Sequence, residues 1–254
     1  MSFKKYQYYI HKIIREPLKI YLKELLVNIY FIRCIINRIF FINKLEKTKT
    51  FLHLGCGDLH IDNCINLDYR ATKATDLIHD CNNLSLFGDK TFTAVYSHAF
   101  FEHLYRVQRL PLLKDIRRVL KDDGYAMFLG IPDFERIATA YINKEKGLFS
   151  ETFDIFEVYR YTHGDPERYP SWWLQQLHKS LFDATELASL LSQAGFNSYI
   201  IFRYCFRSEN LPVSLGFYAT LTENKNITLK NLILVIDKFT NSVNKKTISI
   251  LKIK

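Results

Sequence analysis

The stretch FLHLGCGDLHIDNCINLDYR, residues 51–70, decides the fold of this chain. It reads as a buried strand, a turn with two glycines, and a second buried strand that ends in Asp68. Gly55 and Gly57 would let a ligand approach the backbone with no Cβ in the way. A dinucleotide-binding turn has a third glycine and an acid about 20 residues further on, whereas Asp68 follows Gly57 by eleven residues. The stretch therefore indicates either a binding site with a shortened crossover or an ordinary turn between two strands.

Beyond this stretch, short β-rich runs alternate with helical ones, which predicts a mostly parallel sheet covered by helices on both faces. A helix is expected over 107–124, closed by Gly124, and another over 180–196, with Asp183 as N-cap and Gly195 as its stop. The predicted strands cover residues 50–56, 63–69, 75–80, 91–98, 125–132, 197–205 and 213–222.

The net charge of +9 is concentrated at the two ends of the chain. Residues 1–49 carry +8 and residues 223–254 carry +5, while residues 50–222 carry −4. The acidic body argues against a nucleic-acid groove. We expect residues 223–254 to form a basic tail, either a loose helix or disordered.

The cysteines at positions 34, 56, 64, 81 and 205 are odd in number and form no C-x-x-C pair. This usage predicts reduced, buried thiols in a reducing compartment rather than a disulfide framework. The spacing of histidine and cysteine residues indicates no metal site, so none is expected.

Residues 1–49 are predicted to be a basic, apolar helical segment. On a helical projection Lys19, Lys23, Arg33 and Asn37 fall within a sector of about 80°. Polar interruptions argue against a membrane span, and the absence of a cleavage site argues against a signal peptide. Two interpretations stay open: a helix lying in a membrane interface, or a helical hairpin packed on the domain or on a partner.

Polar residues close successive predicted strands, and the carboxyl ends of parallel strands meet at one edge of a sheet. Asp68 is placed to accept hydrogen bonds from two ribose hydroxyls, and Asp80 to meet an adenine amino group. Ser97 and His98, at the end of the fourth strand, would line the same crevice.

The chain contains the motifs LHLGCG, INLDY, DLIHDCNNL, FTAVYSHAFFEHL, DIRRVLKDDGYAMFLGIPD and LHKSLFDATELASLLSQAGF. Together they resemble class I S-adenosylmethionine-dependent methyltransferases of the methyltransferase type 11 kind, which is common in bacterial polysaccharide biosynthesis clusters. The short crossover is itself typical of this group. The resemblance covers residues 50–222 and implies a Rossmann-like α/β fold with a seven-stranded, mostly parallel sheet.

The resemblance also implies S-adenosylmethionine as the cofactor, held by the glycine turn and the strand ends. The residues expected to bind it are Gly55, Cys56, Gly57, Asp68, Asp80, Cys81, Ser97 and His98.

His178 and His103 are the candidate general bases for a hydroxyl acceptor, with His163 a weaker third, because histidine can hold a proton near neutral pH. Glu102 and His103 could instead fix a helix start against the sheet. An aromatic-rich insertion at 134–179 would either stack on a sugar or form the core of a lid. Its aromatic residues include Tyr159, Tyr161, Tyr169, Trp172 and Trp173.

The expected activity is methylation of a sugar hydroxyl, in a glycan or in a lipid-linked or nucleotide-linked precursor. The alternatives are a small-molecule or RNA methyltransferase, and a catalytically silent module for membrane binding or assembly. We expect a cytoplasmic protein whose residues 1–49 attach it to the anionic inner face of the membrane. The sequence does not indicate an oligomeric state.

Overall fold

The computed structural model describes residues 22, 24–26, 28–37, 49–148, 150–164, 176–207, 209–223 and 228–254. Five residues named above, Lys19, Lys23, Tyr169, Trp172 and Trp173, lie outside the described residues, as does most of the N-terminal segment. The boundaries of the three regions, 1–49, 50–222 and 223–254, stay a prediction.

An eight-stranded sheet forms the centre of the fold, with the order β3-β2-β1-β4-β5-β7-β6-β8. Neighbouring strands from β3 to β5 pair in parallel, and β7 and β8 run antiparallel to their neighbours. The strands are β1 Phe51–Leu54, β2 Cys64–Asp68, β3 Leu77–Ile78, β4 Phe92–His98, β5 Leu120–Pro132, β6 Ser198–Phe206, β7 Ser214–Thr220 and β8 Val243–Ile253.

Helices cover both faces of the sheet. The described residues between 22 and 37 are helical and are called α1; the others are α2 Arg106–Val119, α3 Phe134–Ile142, α4 Ile155–His163, α5 Ala184–Ala194 and α6 Leu229–Ile236. Helices α2 and α5 pack on one face through residues such as Ile116 and Leu191, and α6 packs on the other through Leu232 and Ile236. The predicted α/β fold class is therefore confirmed.

The second predicted helix has the expected ends. The Asp183 side chain accepts a hydrogen bond from the Glu186 backbone N–H, and Gly195 closes the helix in the left-handed conformation with φ of 88°. The prediction for α2 is wrong at its end. The helix stops at Val119, because Leu120 is extended and pairs with Phe92, and Gly124 lies inside β5.

The C-terminal region is folded, against the expectation of a loose or disordered tail. Residues 229–236 form α6, whose apolar side is buried, and β8 pairs with β6 at the edge of the sheet. The sheet thus has one strand more than the seven predicted. All five cysteines are free and buried, as expected.

Helix α1 contacts the body through its polar side chains. The Arg33 guanidinium donates to the carbonyl of Thr72 at 3.1 Å, Asn37 Nδ2 donates to that of Asp76 at 3.0 Å, and Cys34 is buried. Its large apolar residues are exposed instead, from 40% at Ile35 to 57% at Ile32. They are Leu22, Leu25, Leu26, Ile29, Phe31, Ile32, Ile35 and Ile36. Within the described parts of the chain, no helix has the length and apolarity needed to cross a membrane.

Candidate functional site

A cavity of about 480 Å³ opens at the carboxyl ends of the parallel strands. It lies where the strand order reverses, because the chain passes from β1 outward to β2 and β3 and then returns to β4 on the other side of β1. Such a crevice is where open α/β sheets bind ligands. The residues that line it are Gly55, Cys56, Gly57, Asp68, Tyr69, Arg70, Asp80, Cys81, Asn82, His98, Ala99, Phe100, His103, Leu104, Tyr105, Gln108, Gln176 and Lys179.

The glycine turn after β1 forms one wall of the cavity. Gly55 and Gly57 have φ of 64° and 54°, in the left-handed region that other residues rarely adopt. A Cβ on Gly55 would also lie 2.8 Å from Phe100 Cδ2. Both glycines are therefore required by the backbone of the turn, and the second keeps the cavity wall free of side chain.

Asp68 is tied to this turn. It is 5% exposed, and its Oδ2 accepts a hydrogen bond from the Gly57 N–H at 2.8 Å. Its Oδ1 accepts from the Arg70 N–H, also at 2.8 Å. The carboxylate thus has a fixed orientation at the cavity wall, and each oxygen has a further lone pair for a ligand hydroxyl.

Asp80 follows β3 and lies at the exposed mouth of the cavity. Its Oδ1 accepts from the Asn82 N–H at 2.9 Å, which turns the chain back toward the cavity. Cys56 and Cys81 also line the cavity, and their side chains are buried. Burial raises the pKa of Cys56 to about 12 and that of Cys81 further, so both are neutral contact groups rather than nucleophiles.

The two residues at the end of β4 have different surroundings. His98 lines the cavity, and burial lowers its pKa to about 4, so its ring is neutral. Ser97 is 1% exposed, and its hydroxyl donates to the Leu54 carbonyl at 2.9 Å, joining β4 to β1. The expectation that Ser97 lines the crevice is wrong, because alternation along β4 turns its side chain to the face of the sheet opposite to that of His98.

The predicted catalytic histidines are brought together by the segment that precedes α5. The Lys179 and Ser180 N–H groups both donate to the Glu102 carbonyl. This pairing places the His178 ring against the His103 ring, with centroids 5.1 Å apart. His103 lines the cavity, whereas His178 lies behind it and is not among the lining residues.

Both rings are held by backbone carbonyls through Nδ1. His103 Nδ1 lies 3.2 Å from the Leu177 carbonyl oxygen, and His178 Nδ1 lies 2.7 Å from that of Tyr161. Because a carbonyl can only accept, each Nδ1 carries the proton and each Nε2 presents a lone pair. Burial lowers the pKa of His103 to about 4 and also lowers the pKa of His178, so both rings are neutral at neutral pH.

The described aromatic residues of the insertion favour the lid-core interpretation. Tyr161 packs against a small cluster that includes Ile137 and Phe153. Tyr159 stacks on His163 with ring centroids 5.1 Å apart. Neither residue lines the cavity.

Sequence reasoning missed part of the cavity lining. Tyr105, Gln108, Gln176 and Lys179 line the cavity, with the Lys179 ammonium 5.0 Å above the Tyr105 ring centroid. Their positions depend on the pairing of residues 177–180 with the turn at 101–104, and no local sequence pattern predicts this pairing. Arg70 was detectable, since it follows Asp68 by two residues.

Comparison with known proteins bears on most of this site. Residues 52–128 match the family model described as a methyltransferase domain. No curated protein sequence matches the chain at a significant level.

Three solved structures are similar in fold, each a S-adenosylmethionine-dependent methyltransferase. The one from Thermotoga maritima is 16% identical, with 77% of this chain and 96% of that chain covered and a TM-score of 0.46. The structure from Archaeoglobus fulgidus is 15% identical, with 74% of this chain and 92% of that chain covered and a TM-score of 0.48. The structure from Methanosarcina mazei is 17% identical, with 72% of this chain and 97% of that chain covered and a TM-score of 0.43.

The domain match covers β1 to β4, α2 and the first part of β5, and so includes the glycine turn, Asp68, Asp80 and His98. It supports the coarser part of the prediction, a methyltransferase, and indicates S-adenosylmethionine as the cofactor. The roles of individual residues stay predictions.

Proposed function

We propose that this protein transfers the methyl group of S-adenosylmethionine to a sugar hydroxyl, in a cell-surface glycan or its lipid-linked or nucleotide-linked precursor. The observation that carries the proposal is the cavity at the strand reversal, whose lining combines a glycine turn and two acids with further polar and aromatic groups.

The glycine turn and the two acids suit the cofactor. Asp68 would accept hydrogen bonds from the two ribose hydroxyls, and the exposed Asp80 would meet the adenine amino group. Gly57 leaves the wall open, since a Cβ there would contact nothing closer than Arg70 Nη2 at 3.7 Å. The volume of about 480 Å³ lies within the usual range for small-molecule sites.

The bound cofactor supplies an activated methyl group with a good leaving group, so the protein mainly provides alignment and exclusion of water. His103, which lines the cavity, and His178, which packs against its ring, would take the proton of an acceptor hydroxyl that reaches them. Two amides, Gln108 and Gln176, together with the Tyr105 ring, offer the hydrogen bonds and the flat apolar surface that suit a polyhydroxylated acceptor.

The cofactor and the acceptor are tested separately. Calorimetric titration with S-adenosylmethionine should show one site, and a catalytically silent module would give no heat and no thermal shift. Methyl-labelled cofactor is then incubated with cell-surface glycan extracts, with RNA and with small phenols. We expect label in the glycan fraction alone. Label only in RNA or in the small acceptors would overturn the sugar assignment while leaving the methyltransferase intact.

We further propose that the protein attaches to the anionic cytoplasmic leaflet through residues 1–49. The exposed apolar side of α1 supports this proposal, because Arg33 and Asn37 bond to the body while the large apolar residues are exposed. The segment also carries +8 of charge. An anionic bilayer would accept the apolar side and attract each basic residue by about 1 kcal/mol. Lipid-linked precursors would then lie beside the cavity.

Co-sedimentation with vesicles measures this attachment. We expect binding to vesicles that contain phosphatidylglycerol, weaker binding as salt is raised because screening shortens the electrostatic range, and none to pure phosphatidylcholine. Deleting residues 1–45 should abolish it. Replacing the exposed Leu26, Ile29 and Ile32 with serine should do the same without touching the contacts of Arg33 and Asn37 with the body. If the full-length protein ignores anionic vesicles at low salt, α1 is a protein-contact element.

A further inference from the structure

Three side chains that can ligate a metal ion meet beside the cavity. One ligand atom from each of Glu102, His103 and His178 lies within 4.8 Å of the other two. Among the described residues, this is the group of three side chains close enough to share a metal ion. Glu102 and His103 belong to the short 3₁₀ turn after β4, and His178 comes from the segment paired with it. His103 also lines the cavity.

The two imidazoles are oriented as metal ligands usually are. Each donates its Nδ1–H to a backbone carbonyl, that of Leu177 for His103 and that of Tyr161 for His178. Carbonyl partners of this kind fix the ring and leave the Nε2 lone pair for the ion. The His103 Nε2 lies 3.8 Å from Glu102 Oε1, so this lone pair is beside the carboxyl group.

Glu102 supplies an independent indication. Its side chain is 2% exposed, and its Oε2 has no hydrogen-bond partner within the described part of the chain. A buried carboxyl oxygen without a partner is costly. A cation held by this carboxyl group and the two imidazoles would give that oxygen a partner.

We propose that Glu102, His103 and His178 form a divalent cation site of two imidazoles and one carboxylate, suited to Zn²⁺. Imidazole ligands favour Zn²⁺ and its neighbours over Mg²⁺ or Ca²⁺. Bonds of about 2.0–2.1 Å place tetrahedral ligands about 3.3 Å apart, so the ligand atoms, now within 4.8 Å of one another, would move closer together on binding the ion. Three protein ligands leave a fourth position for an oxygen, the usual arrangement of catalytic zinc sites.

This site was hidden from sequence reasoning, because 75 positions separate His103 from His178 and no ligand-spacing motif covers that distance. Its role rests on the proposed function: a cation next to His103 would make an acceptor hydroxyl at the fourth position easier to deprotonate. Binding of the ion itself does not depend on that function.

The test uses full-length protein stripped with a chelator and dialysed. Zn²⁺ is titrated by calorimetry, and Co²⁺ by visible absorption, whose intensity reports a low-symmetry site with few ligands. We expect one ion per chain. Glu102→Gln, His103→Ala and His178→Ala should each weaken binding by at least about tenfold, while His163→Ala, a neighbouring histidine outside the cluster, should not.

Circular dichroism checks that each variant is folded, and the nearly isosteric Glu102→Gln protects against a general loss of structure. If the three variants bind the ion as tightly as the wild type, or if His163→Ala loses as much affinity as they do, the metal is adventitious and the proposal is overturned. No binding of either ion by the wild type would overturn it as well. Titration of the same samples with S-adenosylmethionine keeps this outcome separate from a failure of the proposed function.

Discussion

Replacing Asp68 with alanine is expected to weaken S-adenosylmethionine binding by about 30- to 150-fold. Hydrogen bonds from ribose hydroxyls to a carboxylate contribute about 2–3 kcal/mol in total, which corresponds to that range of affinity. Asp68 is the acid for this role, because it is buried at the cavity wall and held by the Gly57 and Arg70 N–H groups. Calorimetric titration measures the change.

The same contacts mean that Asp68→Ala also loosens the glycine turn, so two controls accompany it. Asp68→Asn keeps an oxygen for the Gly57 N–H and separates the effect of charge from that of turn geometry. Asp58→Ala removes an exposed acid from the loop that follows the turn and should leave affinity unchanged. Normal affinity in Asp68→Ala, with the fold intact by circular dichroism, would show that the cofactor is not held at this strand end.

The strand ends could be predicted because each apolar run is closed by a polar residue or by glycine. Asp68 ends β2 and His98 ends β4, and both line the cavity as expected. Ser97 shows the limit of this reasoning. A strand end has two faces, and the local pattern does not say which residue of the pair faces the crevice.

The ends of the chain were predicted less well, for a different reason. In β8 a run with several lysines lies at the sheet edge, where one side of the strand is open to solvent and the apolar alternation is weak. In α1 the polar sector was identified, but Arg33 and Asn37 use it to bond the carbonyls near Thr72 and Asp76. The order of polar and apolar residues predicts that a helix has a polar side and an apolar side. Tertiary hydrogen bonds decide which of the two faces the body.

The pairing of His103 with His178 could not be predicted either. It depends on two backbone hydrogen bonds, from Lys179 and Ser180 to the Glu102 carbonyl, and backbone groups carry no sequence signature. Both histidines could be singled out as chemical groups. Their contact, and the buried carboxyl group of Glu102 beside them, exist only in the fold.

His178→Ala is expected to lower methyl transfer by about 10²- to 10⁴-fold, the usual contribution of a general base, with cofactor affinity changed little. The His178 Nδ1–H is held by the Tyr161 carbonyl, so Nε2 is available to take a proton. His178 does not line the cavity, so its replacement should leave the cofactor contacts in place. The loss should therefore appear in turnover, measured as label transferred to the acceptor fraction. His60→Ala, outside the cavity lining, serves as the control.

The pH dependence of the wild type follows from the direction of the shift. A base acts when unprotonated, and burial lowers the pKa of His178 below its ordinary value of 6.5. Activity should therefore persist below pH 6.5 and fall as pH drops through the lowered pKa. An acid limb at or above pH 6.5 would contradict this assignment.

The expected loss in His178→Ala is of similar size whether the residue is a base or a ligand of the proposed cation, and chelation separates the two roles. A base acts without the ion, so chelator-treated wild type would keep its rate. A ligand acts only through the ion, so the treated enzyme would lose activity and regain it with Zn²⁺. A near-normal rate in His178→Ala itself would exclude both roles for this residue and move proton removal to His103 or His163.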